Sequence, residues 1–467
     1  MTSKITSGVS FLGMVVGALL VVAPAGADEV VAELTRDTPI AAYGGVVAWS
    51  DYDAATARYR LVIRRGAQAM HASMANSRRP FDVSLGPDSH GRVVALYTRC
   101  RTANHGCDVY RYDVRARRER KDISVSSPTK DEAWPVQWRD HLAFVRRARA
   151  YVVDGYSPRP DPRGKRGGGQ LMDCDVPYIK SLSTPAPSRR LDRGLCAPTT
   201  GMSIRGERIV QVTDLNQGGA GSESQVRVLR TRGGVGRLLA RARGGEGGYS
   251  PFASPSQSAT DIYLTRTGIR EGTSSGVFLR FTGSRKPPTV VQPNVRVAGR
   301  MARDERGAYW YVQAPEPPIE DHYEPPFCVS PLAPCRLIRA SASPFSQATR
   351  ALPPRLRVTV EKSGCITRPS SAPIALSGDL TRTIVRRSAI VRREPLRGVS
   401  LELLHSDRPE GRGPFAPTGL TTMTDQAGRW SLSLSNPLSS EGFFAAVARG
   451  TGDASGAVSV CLDPVAP

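Results

Sequence analysis

Val46-Val47-Ala48-Trp49 returns as Val93-Val94-Ala95-Leu96-Tyr97 and again as His141-Leu142-Ala143-Phe144-Val145. The same apolar cluster recurs more loosely as Arg208-Ile209-Val210-Gln211-Val212, Asp261-Ile262-Tyr263-Leu264 and Ala308-Tyr309-Trp310-Tyr311-Val312. With Ala48, Ala95, Ala143, Val210, Tyr263 and Trp310 taken as equivalent, the steps are 47, 48, 67, 53 and 47 residues. The long step contains residues 156–173, with Pro158, Pro160, Pro162, Gly164 and Gly167-Gly168-Gly169, and reads as a disordered insert. A period of ~40–50 residues is the mark of a repeat architecture, and here it decides the fold.

A second apolar segment follows each cluster. These are Tyr59-Arg60-Leu61-Val62-Ile63, Asp108-Val109-Tyr110-Arg111-Tyr112, Ala150-Tyr151-Val152-Val153, Gln225-Val226-Arg227-Val228-Leu229, Gly276-Val277-Phe278-Leu279-Arg280 and Cys335-Arg336-Leu337-Ile338-Arg339. Strand, turn, strand and a Gly/Arg-rich turn is the plan of a propeller blade. Six repeats predict an all-β, six-bladed β-propeller over residues 28–352. Each sheet is buried on both faces by its neighbours, so its central strands should be apolar on both sides, as Val-Val-Ala-Trp is. The early strand Val30-Val31-Ala32-Glu33-Leu34 is expected to join the last blade and close the ring, which removes an exposed edge.

Pro135-Val136-Gln137-Trp138-Arg139-Asp140-His141-Leu142-Ala143-Phe144 resembles the blade signature of TolB-like propellers, Pro-x-x-Trp-Ser-Pro-Asp-Gly-x-x-Ile-Ala-Phe. Leu85-Gly86-Pro87-Asp88-Ser89-His90-Gly91-Arg92-Val93-Val94-Ala95 is the closer copy, while the last three repeats depart from it. The resemblance implies a fold and an interaction surface. It implies no reaction, because the fold hosts unrelated functions.

Pro353-Pro354 marks a break. Beyond it, segments 356–361, 374–376, 399–404, 418–423, 430–434, 443–448 and 457–462 alternate as seven short strands, and residues 355–467 predict a β-sandwich. Thr424-Asp425-Gln426-Ala427-Gly428-Arg429-Trp430 resembles a hairpin of transthyretin-like and carboxypeptidase-regulatory-like sandwiches. In those families the unit is a spacer or a carbohydrate-binding accessory.

Composition agrees with many strands and turns. The 467 residues include 45 Gly and 37 Pro, a share well above the usual ~12% that disfavours helices. The net charge is +22 and only seven basic residues are lysine. The arginines are scattered. The densest run, Arg115, Arg117, Arg118, Arg120 and Lys121, has no interleaved aromatics on which bases could stack, so no specific nucleic-acid partner is expected. Attraction to anionic envelope polymers or lipid is favoured by the charge itself.

The N-terminus reads as an export signal. An apolar stretch at 9–22 is followed by Pro24 and by Ala25-Gly26-Ala27, a small-x-small cleavage pattern; residues 1–27 are assigned as the leader, with retention as an anchor the alternative. No later segment is long and apolar enough to span a membrane. Eight cysteines in an exported chain read as a disulfide framework. Neighbour pairing gives Cys100 with Cys107, Cys174 with Cys196, Cys328 with Cys335 and Cys365 with Cys461. No CxxC knuckle suggests zinc.

Chemistry is sparse. Gly272-Thr273-Ser274-Ser275-Gly276 has nucleophile-elbow spacing, but an elbow needs a following helix, and this copy sits in a predicted hairpin. The six histidines show no metal-ligand spacing. The segment 316–328 gathers Glu320, Asp321 and Glu324 with His322 and Tyr323 among prolines. The simpler reading is a solvated acidic loop, and the sharper one is a calcium site. The cluster of Trp134, Trp138 and Asp131-Glu132 is a candidate platform for stacking on a sugar; the simpler reading is core, which the blade signature gives for Trp138 and which extends to Trp134 beside Pro135. No catalytic residue and no cofactor other than calcium is assigned. The favoured function is a monomeric, exported, non-catalytic binder of protein or glycan in the cell envelope or outside it. The alternatives are a polysaccharide-acting enzyme with its site at the propeller's central mouth, and a structural scaffold.

Overall fold

The computed structural model describes residues 28–463 except 37, 54, 73–76, 103–104, 153–169, 192–196, 216–222, 244–250, 271–272, 283–287, 292–296, 314–334, 341–348, 352–354, 360–365, 368–373, 387–388, 407–415, 435–441 and 450–459. The leader expected at 1–27, the insert at 156–169, and Glu320, Asp321, His322, Tyr323 and Glu324 therefore lie outside the described residues.

Every regular element described is a β-strand. Strand β1 (Glu29–Leu34) precedes a first four-stranded sheet of β2 (Ile40–Tyr43), β3 (Val46–Asp53), β4 (Arg58–Arg65) and β5 (Gln68–His71). The second holds β6 (Ser84–Pro87), β7 (Val93–Cys100), β8 (Cys107–Asp113) and β9 (Arg118–Lys121). The third holds β10 (Asp131–Trp138), β11 (His141–Val152), β12 (Gln170–Ser181) and β13 (Arg189–Arg190). The fourth holds β14 (Thr199–Arg205), β15 (Arg208–Leu215), β16 (Glu223–Arg230) and β17 (Arg237–Arg243). The fifth holds β18 (Phe252–Gln257), β19 (Asp261–Arg270), β20 (Thr273–Thr282) and β21 (Thr289–Val291). The sixth holds β22 (Val297–Arg303), β23 (Tyr309–Gln313) and β24 (Cys335–Ala340), completed by β1 from the start of the chain. The expected closure is thus present, with Leu34 opposite Cys335 and Glu29 opposite Arg339.

The innermost strands touch in a cycle, β2 to β6, β10, β14, β18, β22 and back to β2. This is the six-membered ring of a propeller. Between successive sheets lies one apolar cluster, and alternate residues of one strand feed opposite clusters. Val47 and Trp49 pack toward the sixth sheet, Val46 and Ala48 toward the second. Leu142 and Phe144 face the second sheet, Ala143 and Val145 the fourth. Tyr309 and Tyr311 face the fifth, Trp310 and Val312 the first. Because both faces are buried, the strict hydrophobic alternation of a half-exposed strand is lost. All six equivalent positions read from the repeat lie on second strands.

Three expectations need correction. Ala150, Tyr151 and Val152 do not open a new strand. They extend β11, pairing as far as Val152 with Gln170, because Arg146-Arg147-Ala148-Arg149 contains no residue that breaks a strand. By the same pairing, residues 170–173 of the expected insert belong to β12. The Pro353-Pro354 pair does not bound the last sheets, because β25 (Thr349–Ala351) precedes it and pairs with β28 (Ile374–Arg386).

Two five-stranded sheets follow the ring. In one, β25, β26 (Arg355–Thr359), β29 (Ala389–Pro395) and β32 (Arg429–Leu434) all pair with the long β28. The other runs β27 (Ile366–Thr367), β34 (Val460–Asp463), β33 (Gly442–Arg449), β30 (Ser400–Ser406) and β31 (Ala416–Met423). The turn at 424–430 forms as read: Asp425 Oδ1 accepts from the amides of Ala427 and Arg429 at 2.8 Å each, and Trp430 is buried. Gly428 has φ 72°, and a Cβ there would lie 2.6 Å from the Leu380 carbonyl oxygen. It is not a hairpin, however, since the strands it joins, β31 and β32, belong to different sheets.

Candidate binding mouth and its plug

Strand direction sorts the connections of the ring onto two faces. On one face lie the connections from second to third strands and those between sheets. Cys100 pairs with Cys107 there, closing the β7–β8 hairpin as expected. Cys174 and Cys335 are also disulfide-bonded. The ends of the acidic proline-rich segment, Gln313 and Cys335, are on this face as well. The other face carries the tight turns between first and second strands.

The central mouth opens on the first face. All six innermost strands or their leading residues line it, through Pro39, Ser84, Trp134, Thr200, Pro255 and Arg300. Its volume is only about 40 Å³. The first strands also approach one another closely. A Cβ at Gly201 would sit 2.6 Å from Pro255 Cδ, and one at Gly86 would sit 2.1 Å from the carbonyl oxygen of Gln137. The inner edge of each first strand faces the channel and has no partner strand, so proline is tolerated there without loss of a ladder bond. That is why Pro87, Pro135 and Pro255 occur within first strands.

Trp134 is the unusual residue at the mouth. It is half-buried, and its φ is 52°, in the left-handed region that a bulky residue rarely occupies. It sits in a bulge of β10 between Ala133 and Val136. Its amide donates to Asp82 Oδ2 at 2.6 Å. Asp82 also accepts from Thr98 Oγ1 at 2.6 Å and from the Thr98 amide at 2.7 Å. One carboxylate from the preceding connection thus fixes a strained position across two sheets, as expected where structure over-determines a functional conformation. The fifth sheet has a similar bulge, with Ser254 at φ 50° before Pro255.

The opposite end of the channel is plugged. Tyr43, at the end of β2, meets Trp138, at the end of β10, edge-on with centroids 6.0 Å apart. The Arg205 guanidinium carbon lies 4.7 Å above the Trp138 ring, and Arg205 Nη2 is 3.7 Å from Glu305 Oε1. Burial, followed by the hydrogen bond to Glu305, raises the Tyr43 phenol well above its ordinary value. Residues of the first, third, fourth and sixth sheets therefore converge on one knot.

Trp138 belongs to the plug and Trp134 lines the mouth, and both also pack against the apolar cluster between the third and fourth sheets. Ser274 and Ser275 lie in β20 within a hairpin, and no helix follows them among the described residues. Among the described residues, no group of three or more His, Cys, Asp or Glu is placed to hold a metal. No described helix is long and apolar enough to cross a membrane.

No protein-family model and no curated protein matches the chain. Among solved structures, it is similar to TolB from Acinetobacter baumannii, at 13% identity and TM-score 0.38, over 64% of this chain and 65% of that one. It is also similar to Pyrococcus horikoshii acylaminoacyl peptidase, at 8% identity and TM-score 0.37, over 83% and 57%. The β-propeller domain of the Trilobed protease from Pyrococcus furiosus aligns at 9% identity and TM-score 0.35, over 76% and 98%. The chain spans less than two thirds of the length of the first two. Ligands and reactions do not transfer across likenesses this distant, and the propeller reading stands on the sheet order and the closed ring of inner strands.

Proposed function

We propose that this chain is an exported, non-catalytic binding protein that takes a protein or glycan partner of the cell envelope or extracellular space on its mouth face. The observation that carries the reading is Trp134. It is an aromatic side chain at the point where six sheets converge, set in a left-handed conformation and held there by Asp82. Tryptophan supplies a large contact area with little rotamer entropy to lose, and it is enriched among residues that dominate binding energy. A platform held in advance lowers the ordering cost of association. Asp82 is committed to three donors, so it serves as a support for Trp134 and not as a general acid.

The test is retention of the mature protein by washed envelope fractions and by separated glycan polymers, at low and at high salt. Retention by one fraction at high salt is the expected result. Retention only at low salt would assign the interaction to the +22 charge and would end the proposal.

A further inference from the structure

We propose a second binding site at the seam where the ring closes, on the face opposite the mouth, for a small organic carboxylate. The cavity there has a volume of about 360 Å³, within the range of small-molecule pockets and far larger than the mouth. It lies between the sixth sheet and the first. Glu29 of β1, Arg64 of β4, Arg339 of β24, Trp310 of β23 and the turn residues Asp304 and Arg306 line it.

The charges there are unequal. Glu29 is shared, with Oε1 3.0 Å from Arg64 Nη2 and Oε2 3.5 Å from Arg339 Nη1. Asp304 is buried and accepts from the backbone amides of Gly45, at 2.7 Å, and of Arg306. Arg64 also donates to the carbonyls of Val31 and Gly66. The exposed Arg306 guanidinium has no carboxylate partner among the described residues. Three cations against two anions leave a surplus of one positive charge, which matches a monoanion such as a carboxylate better than a phosphate dianion. A guanidinium fork recognises a carboxylate by two parallel hydrogen bonds.

Two further features favour a ligand with an organic body. Trp310, 6% exposed, forms one wall beneath Arg339, whose guanidinium carbon is 5.6 Å from the ring centroid. The Trp310 Nε1–H has no acceptor among the described residues, and an unpaired buried donor is costly. Gly45, at φ 80°, leaves the guanidinium its room, since a Cβ there would come within 3.2 Å of Arg306 Nη1.

The carboxylate could belong to an acidic sugar or to a peptide terminus, and the experiment separates them. The full chain is titrated calorimetrically at constant ionic strength with glucuronate and with N-acetylglycine. Glucose and N-acetylglycinamide are the neutral counterparts. The expected result is saturable 1:1 binding of at least one acid, with its neutral counterpart weaker by about ten-fold or more. The preferred acid names the source. Arg306→Gln, at an exposed position, should weaken that acid by about ten-fold with little change in melting temperature, and Arg306→Gln/Arg339→Gln should abolish binding. Equal behaviour of acids and neutral compounds, or unchanged acid binding in Arg306→Gln, would overturn the proposal.

Discussion

The rings of Tyr43 and Trp138 meet at right angles, 6.0 Å between centroids, across the axis of the ring. They come from the first and third sheets, which are not neighbours in the cycle. Arg205 of the fourth sheet covers Trp138, and Glu305 of the sixth holds both Arg205 and the Tyr43 hydroxyl. The knot therefore links the first sheet to the third and the fourth to the sixth, pairs that share no apolar cluster. Full truncation of a buried tryptophan costs about 3–5 kcal/mol. Trp138 is half-buried, so Trp138→Ala should lower the unfolding free energy by about 2–3 kcal/mol in urea titration. A loss below the error of the titration would show that the channel end does not hold the ring together.

Ring closure depends on β1. Leu34 is 1% exposed and sits in the seam cluster with Val47, Trp49, Val312 and Leu337. Leu34→Ala should cost about 2–5 kcal/mol by denaturant unfolding. Val391→Ala is the matched control: its side chain is 56% exposed in the later sheets, and it should cost well under about 1 kcal/mol.

Glu132 gives the fold a pH dependence. It is fully buried, with Oε1 3.1 Å from Arg146 Nε, and its Oε2 accepts from the Ser127 amide at 3.2 Å. Burial outweighs these partners and raises its pKa from 4.5 to about 7. The folded state thus keeps a proton that the unfolded chain has already released, so this group's contribution is full below the unfolded value and is lost as pH rises to the folded one. Glu132→Gln should match the parent protein near pH 4.5 and exceed it near pH 8 by on the order of 3 kcal/mol, read as melting temperature against pH. A variant equally destabilised at both values would contradict the shift.

The Cys100–Cys107 bridge closes a short hairpin loop on the mouth face, and Asp131 Oδ1 supports it by accepting from the Cys107 amide at 2.8 Å. In the chain-entropy model a loop this short is worth about 2–3 kcal/mol. Cys100→Ser/Cys107→Ser should lose about that much in urea titration while its far-ultraviolet spectrum stays that of a β protein.

The repeat of apolar clusters placed the second strands of all six sheets, and with the second segments it placed five of the six third strands. Both strand classes are buried on two faces, so they are written as compact apolar runs that a reader can align. The first strands were not legible. Pro87, Pro135, Gly201 and Pro255 are residues that interrupt most strands; here they lie on strands whose inner edge faces the axis. The third sheet misled for a related reason, since an alternating Arg/Ala stretch in β11 carries no sign of where a long hairpin ends. Trp134 could be picked out as a sugar-stacking candidate, but the aspartate that fixes its backbone lies 52 residues away, and only the ring brings the two together. The seam cavity was not legible either. Glu29, Arg64, Arg306 and Arg339 are spread over the whole propeller, and the closure of β1 onto β24 assembles them.

Trp134 is where the account of function is most exposed. The measurement is high-salt retention by envelope fractions of the parent protein and of Trp134→Ala, each first checked for an equal melting temperature to within a few degrees. The account predicts that the parent is retained by one fraction and that the variant is lost from it, a drop of about ten-fold or more. Equal retention of the two proteins at high salt would contradict a partner held at the mouth.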